Sequence, residues 1–402
     1  MYDAIVIGAR CAGSPTAMLL ARRGYKVLLV DRATFPSDHL STHFIHVAGV
    51  ERLHRWGLLE RIRASNCPPV KRVSLDFGPV RLSGSPPPSE DGVSESFAPR
   101  RTVLDKILLD AAREAGAEVR EGCAVREIVK ENDEVVGIRC GNDDAVERAR
   151  ITIGADGVHS ILARAVEPAA YNERPSLTCG YYTYWSDVPL SGAELYIREN
   201  LVIIAFPTND AQSLIVALWP NSEFQKVRAD VEGSYMRALD VAPEFAERVR
   251  RGRRTERFYG TADVPNFFRK PYGAGWALVG DAGFHKDPIT AQGITDSFRD
   301  AELLAEAIDE GFSGRRPLEE ALADYERRRN ETAMPLYEFT CQRATLATPP
   351  PEMLQLIAAL EGNQEQIDRF IGIDAGTVPV TEFFSLENIG RIMTHTGQNR
   401  LR

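Results

Sequence analysis

Three glycine–aspartate groupings, far apart in the chain, carry its most telling chemistry. Gly8 and Gly13 enclose Ala9-Arg10-Cys11-Ala12 directly after the apolar run Ala4-Ile5-Val6-Ile7. A strand that ends in such a turn and enters a helix aims free backbone N–H groups at an anion. Gly8 suits the tight turn and Gly13 suits close helix packing. Arg10 stands where a third glycine commonly lets the backbone approach a pyrophosphate. Asp31 closes the next apolar run, Val27-Leu28-Leu29-Val30. A carboxylate there accepts from a ribose 2′-hydroxyl and disfavours a 2′-phosphate. This unit reads as a dinucleotide site and does not by itself choose between NAD and FAD. Two later turns do: Gly154-Ala155-Asp156-Gly157, with Ser160 and Arg164, and Gly280-Asp281-Ala282, with Pro288 and Gly293. An extended dinucleotide needs a second anchor for its other half. Asp281 is placed to accept from a ribityl hydroxyl. A helix starting near Gly293 points its positive end at the anionic edge of a reduced flavin.

In this order the motifs resemble those of class A flavoprotein monooxygenases. That is the para-hydroxybenzoate hydroxylase fold, shared with flavin-dependent halogenases and geranylgeranyl reductases. The resemblance spans about residues 1–340. It implies that Gly8, Gly13 and Asp31 hold the ADP half of FAD. It implies that Arg101, in Arg101-Thr102-Val103-Leu104-Asp105, reaches the flavin side and that Asp156 serves both FAD and NAD(P)H. Asp281 then binds the ribityl chain, while Pro288 and Gly293 line the flavin ring and its oxygen adduct. The full cofactor set expected is Gly8, Ala12, Gly13, Asp31, Arg32, Arg101, Asp156, Gly280, Asp281, Pro288, Gly293 and Ile294. Two departures stand out. Gly283-Phe284-His285 replaces the Ala-His that follows Gly-Asp-Ala in many relatives, and Thr290 stands where hydroxylases often have glycine.

Several chemistries share this fold, and fold alone does not select among them. The favoured one is hydroxylation or epoxidation of a small aromatic or polyketide-like substrate. It would use bound FAD, transient NADH or NADPH, and O2, through a flavin C4a-hydroperoxide. Here the cofactor carries the reaction and the protein supplies position, dryness and charge. His39, His43 and His46 follow Asp31 closely, and His43 is the candidate general base. Pro288 is the candidate on the flavin-adduct side. Tyr182, Tyr184 and Trp185 are the expected substrate contacts, because aromatic side chains with polar edges suit a planar substrate. A halogenase would carry W-x-W-x-I-P and a capturing lysine. The corresponding stretch, Tyr182 to Pro189, has one tryptophan, and Lys71 alternates with apolar residues as on a strand's solvent face. A geranylgeranyl-type reductase would need a long apolar tunnel, and this sheet segment is more aromatic than aliphatic. A non-catalytic flavin-binding protein is the remote alternative, and no separate output domain supports it. No metal is expected, since His285-Lys286-Asp287 has no partner at ligand spacing.

The elements that position these residues follow from periodicity. The order is α/β, then mostly β, then α/β, then α. The expected fold is a discontinuous Rossmann-like FAD-binding domain with an inserted, mostly antiparallel β-sheet substrate domain and a C-terminal helical segment. The FAD-binding parts are 1–70, 101–175 and 266–340; substrate-domain strands and a loop take 71–100, the substrate sheet 176–265, and a helical cap 341–402. The 402 residues, 44% hydrophobic and 26% charged with net charge −9, suffice for two or three lobes. The acidic balance argues against a nucleic-acid partner. No apolar run approaches a membrane span, and no signal peptide precedes the first strand, so a cytoplasmic protein is expected. Six cysteines without a C-x-x-C pair fit a reducing compartment. Oligomeric state stays open.

Overall fold

The computed structural model describes residues 1–141 and 145–399. Residues 142–144 and 400–402, within the 101–175 and 341–402 segments, lie outside the described residues. Continuous apolar runs form the centre of the first sheet because both of its faces are covered. Its strands run in the order Tyr272–Gly273, Trp276–Leu278, Glu147–Gly154, Tyr2–Ile7, Val27–Val30, Glu118–Arg120. Tyr2–Ile7 pairs in parallel with Glu147–Gly154 on one side and with Val27–Val30 on the other. All three glycine–aspartate turns therefore leave neighbouring strands at their carboxyl ends. That is where open α/β sheets bind ligands.

One face of this sheet is covered by the helices Gly13–Arg22, Arg101–Glu114 and Gly293–Phe312. They bury Ala17, Met18, Leu104, Leu108, Phe298 and Leu304 against Val6, Leu29 and Ile153. The other face is covered by the short helix Ile161–Val166 and the hairpin Val125–Glu131/Glu134–Cys140. Two further helices, Val47–Arg55 and Leu59–Arg63, are separated by Gly57 at φ +76°.

A second sheet is antiparallel through Thr178–Ser186, Gln212–Pro220, Leu201–Pro207 and Ala193–Arg198. It then continues in parallel onto Val73–Asp76. Its inner face carries Tyr182, Tyr184, Ile204, Phe206, Val216 and Leu218. Its outer face carries Trp185, Ile203, Ala205, Ile215 and Ala217 against the helices Val231–Leu239 and Pro243–Arg251. The long helix Leu318–Ala344 crosses toward a C-terminal group of helices that packs on Leu75 and Leu82. No described helix is long and apolar enough to cross a membrane.

Candidate functional site

The first turn is a backbone contact before it is a ligand site. Gly8 has φ +100°, and a Cβ there would lie 2.6 Å from the Ala155 carbonyl oxygen. A Cβ on Gly13 would lie 1.8 Å from the Gly8 oxygen. Both positions exclude a side chain so that turn, helix and neighbouring strand can close on one another. Asp31 is buried at the end of its strand. Its Oδ2 accepts from the Ala9 N–H at 2.7 Å and its Oδ1 from the Ala33 N–H at 2.8 Å. The carboxylate thus stiffens the turn while lining the cleft beside it.

Arg10 does not point away into solvent. Its guanidinium meets the fully buried Asp105 at 2.5 Å and lies 5.1 Å from the Phe35 ring centroid. Arg101 holds the other Asp105 oxygen at 3.0 Å. Two cations, one from the turn and one from the helix Arg101–Glu114, are therefore fixed by one carboxylate at the cleft wall. Sequence reading missed Asp105. The four-residue spacing from Arg101, one helical turn, was the available signal.

Asp156 and Asp281 hang from the two later turns. Asp156 Oδ2 accepts from the Ile161 N–H at 2.7 Å, while its Oδ1 is buried with no hydrogen-bond partner. Burial raises the pKa of Asp156. Burial likewise raises that of Asp281, reinforced by the carboxylates of Asp296 and Asp300 and opposed by His285 and Arg101. Gly293 opens the helix Gly293–Phe312, and a Cβ built on it meets nothing within 4 Å. Pro288 starts a single 3-10 turn, Pro288–Thr290, capped by Asp287, whose carboxylate accepts from Ile289 N–H.

Gly8, Ala12, Asp31, Arg32, Arg101, Asp156, Gly280, Asp281, Pro288, Gly293 and Ile294 all border one cleft of about 740 Å³. Gly13 lies behind the wall, as its packing role requires. The volume falls within the roughly 300–1,000 Å³ of small-molecule and cofactor sites. An open cradle at Gly293, an unpartnered buried carboxylate oxygen on Asp156 and two fixed arginines together fit an extended, anionic dinucleotide.

The second sheet closes the cleft from the other side with Tyr182, Ile204, Phe206, Val216 and Leu218, and Phe44 joins them. Tyr182 accepts a hydrogen bond from the Ser41 N–H at 3.1 Å, and its ring stacks 5.4 Å from that of Tyr259. Tyr184 lies one layer back. Its hydroxyl bonds His43 Nε2 at 2.8 Å, and the Arg100 guanidinium sits 3.8 Å from its ring centroid. Trp185 corrects the sequence expectation. Successive strand residues face opposite sides, and Trp185 points outward, donating from Nε1 to the Tyr235 hydroxyl at 3.3 Å. The lining of the sheet side is therefore more aliphatic than the raw sequence suggests. His43 borders the cleft with only 1% of its surface exposed, at φ +45°. Burial, reinforced by Arg100 and Arg101, pushes its pKa down to about 3, so the imidazole is neutral at neutral pH.

Lys71 is exposed on the surface, its nearest carboxylate oxygen 3.9 Å away on Glu95, and does not border the cleft. Lys286 does border it, paired to Asp296. Among the described residues no group of three His, Cys, Asp or Glu side chains can hold a metal ion.

Comparison with known proteins follows the same lines. A family model described as FAD binding domain matches residues 1–340. The digeranylgeranylglycerophospholipid reductase of Methanosarcina acetivorans is 27% identical over 345 residues, covering 83% of this chain and 81% of that protein. The solved structure of the flavin-dependent brominase Bmp2 superposes with TM-score 0.80 at 18% identity, covering all of both chains. PqsL of P. aeruginosa in complex with 2-aminobenzoylacetate superposes with TM-score 0.71 at 22% identity, covering 94% of this chain and 99% of that one.

Proposed function

The chain belongs to the FAD binding domain family and is an FAD-dependent oxidoreductase, and on that premise we propose that it is an NAD(P)H-using monooxygenase acting on a small, neutral, largely apolar molecule. The observation that carries this reading is the size and lining of the cleft. A volume of about 740 Å³ accommodates a dinucleotide with a small planar molecule beside it. The sheet side offers Phe44, Tyr182 and Phe206 with Ile204, Val216 and Leu218, and no charged side chain among these. Apolar walls with a few polar edges bind such molecules by burial.

In this reading the parts 1–70, 101–175 and 266–340 form the FAD-binding domain. The parts 71–100 and 176–265 form the substrate domain, and 341–402 caps it. Asp31 holds the ribose end of FAD, Arg10 and Arg101 the charged middle, Asp281 the ribityl chain, and the free backbone N–H groups of the helix turn that Gly293 opens hold the flavin edge. Bound FAD supplies hydride acceptance and oxygen activation. The chain's own residues orient and dry the reacting centre, with Pro288 on the flavin's substrate side. His43, neutral, is hydrogen-bonded through Nε2 to the Tyr184 hydroxyl, which holds its ring at the cleft wall. Halogenation is disfavoured by the surface position of Lys71 and by the pairing of Lys286 with Asp296. The similarity to digeranylgeranylglycerophospholipid reductase supports a second reading, reduction of a carbon–carbon double bond.

A screen of small aromatic and polyketide-like compounds distinguishes them. Each is incubated with the FAD-loaded protein, NADH or NADPH and air, and product mass is read. A gain of one oxygen supports the proposal. A gain of two hydrogens, undiminished when O2 is removed, replaces it with the reductase, and incorporation of halide replaces it with the halogenase.

A further inference from the structure

Below the cleft, where the helix Gly293–Phe312 begins, lies a buried group of charges that the proposed reaction leaves unused. The Lys286 side chain is 3% exposed, and its Nζ lies 2.5 Å from Asp296 Oδ2. Asp296 Oδ1 accepts from Arg299 at 2.7 Å, and Arg299 also grips Asp300 at 2.7 Å. Lys286 and Asp296 border the cleft together with Asp281 and Gly293. Stability alone does not account for such a group, because replacing a buried ion pair by apolar side chains is often neutral or stabilising.

The arrangement is asymmetric. Burial presses on the Asp296 carboxyl, but Lys286 and Arg299 outweigh it and hold the group ionised. Burial biases Asp281 and Asp300 the other way, toward the neutral carboxyl. Burial also draws the Lys286 ammonium down, and the Asp296 carboxylate opposes that. Lys286 and Arg299 flank the Asp296 carboxylate, and of these two cations it is Lys286 that borders the cleft. It adjoins the first turn of the helix whose N–H groups already favour negative charge. Reduction places negative charge on a flavin ring, and a fixed cation nearby favours the reduced form.

Resting on the proposed placement of the flavin ring against Gly293, we propose that Lys286 is a positioning residue that places a fixed positive charge at the flavin end of the cleft, with Asp296 as its anchor, and thereby raises the reduction potential of bound FAD. The test is the midpoint potential of bound FAD, measured by dye-coupled reduction at pH 7 in the wild type, K286M, D296N and the double variant. K286M should lower the preference for reduced over oxidised FAD about tenfold, which is about 30 mV downward for a two-electron couple. D296N should move the potential upward, and K286M/D296N should return it toward the wild-type value. Opposite signs and mutual compensation are not expected of a merely structural pair.

Wild-type protein that takes up no FAD overturns the placement and this proposal with it. Wild-type protein that binds FAD, with variants whose potentials are unchanged or move in the same direction, overturns the role of Lys286 alone. If K286M does not accumulate, the double variant decides against D296N: a lower potential in the double variant supports the proposal, and an equal one overturns it.

Discussion

His43 shows how one residue can combine unfavourable features at a functional position. It takes a positive φ, where a non-glycine residue costs about 1–3 kcal/mol, and buries a titratable ring. The burial has a measurable sign. Burial first, then Arg100 and Arg101, lowers the folded-state pKa from 6.5 to about 3. Between those values the unfolded chain binds a proton that the folded chain refuses. Stability therefore rises with pH through this window and is lost as pH falls from about 6.5 toward 3. In H43Q that contribution disappears. Denaturant unfolding at pH 7 and pH 5 should show a larger acid loss in the wild type than in the variant. Parallel losses would mean that the imidazole is not held neutral. Because the group is already neutral near pH 7, activity that depends on His43 should show no ionisation of this residue between pH 6 and 8.

Elements carry the contrast between the glycines. Gly13→Ala drives a methyl group into the Gly8 carbonyl, at 1.8 Å, and should abolish soluble protein or lower stability by about 3 kcal/mol. Gly293→Ala meets nothing and gains helix propensity of about 1 kcal/mol. It should therefore keep or raise the melting temperature while weakening FAD binding at least tenfold, because the added methyl projects from the N-terminal turn bordering the cleft. Titration of apoprotein with FAD, alongside thermal melting, separates the two effects. A G293A protein with unchanged FAD affinity would remove Gly293 from the site.

Asp287 joins elements rather than filling one. It accepts from the Thr178 N–H and hydroxyl on the second sheet and from the Ile289 N–H in the Pro288 turn. Hydrogen bonds to a charged group contribute about 1.5–3 kcal/mol each. D287N should therefore cost about 2 kcal/mol or more in chemical denaturation, and an unchanged midpoint would refute the link.

What the sequence disclosed follows the same division. The parallel strands were legible because both faces of that sheet are buried, leaving unbroken apolar runs. The three turns were legible because glycine and aspartate are dictated locally. The facing of Tyr182, Tyr184 and Trp185 was not, because helices cover the outer face of the second sheet as well. Apolar residues then occupy both phases of the strand, and periodicity loses its signal. The Lys286–Asp296 pair was equally hidden, since only the turn between a short strand and a long helix brings those side chains together.

The whole molecule depends on a segment with no glycine–aspartate turn of its own. The C-terminal helices Pro351–Leu360 and Gln364–Ala375 pack Leu356, Leu360, Ile367 and Ile371 onto Leu75 and Leu82 of the second sheet. They also reach the cleft's supporting loop. Gln292, which precedes Gly293, donates from Nε2 to the Asp374 carbonyl at 2.6 Å, and Arg343 pairs with the Asp374 carboxylate at 2.7 Å. Burying each large apolar side chain contributes about 1.5–3 kcal/mol. Uncovering Leu75 and Leu82 together with Leu336 and Phe339, which pack on the same cluster, therefore approaches the entire 5–15 kcal/mol of net stability that is typical, roughly, of a folded domain. A chain ending at residue 345 should accordingly aggregate or bind a hydrophobic dye strongly, and should fail to retain FAD on gel filtration. The milder R343A keeps the apolar cover and loses only the Asp374 pair, so it should remain monodisperse while weakening FAD binding through the Gln292 loop. If the truncated chain stayed folded and yellow, the C-terminal helices would be an appendage to the cofactor site rather than part of its support.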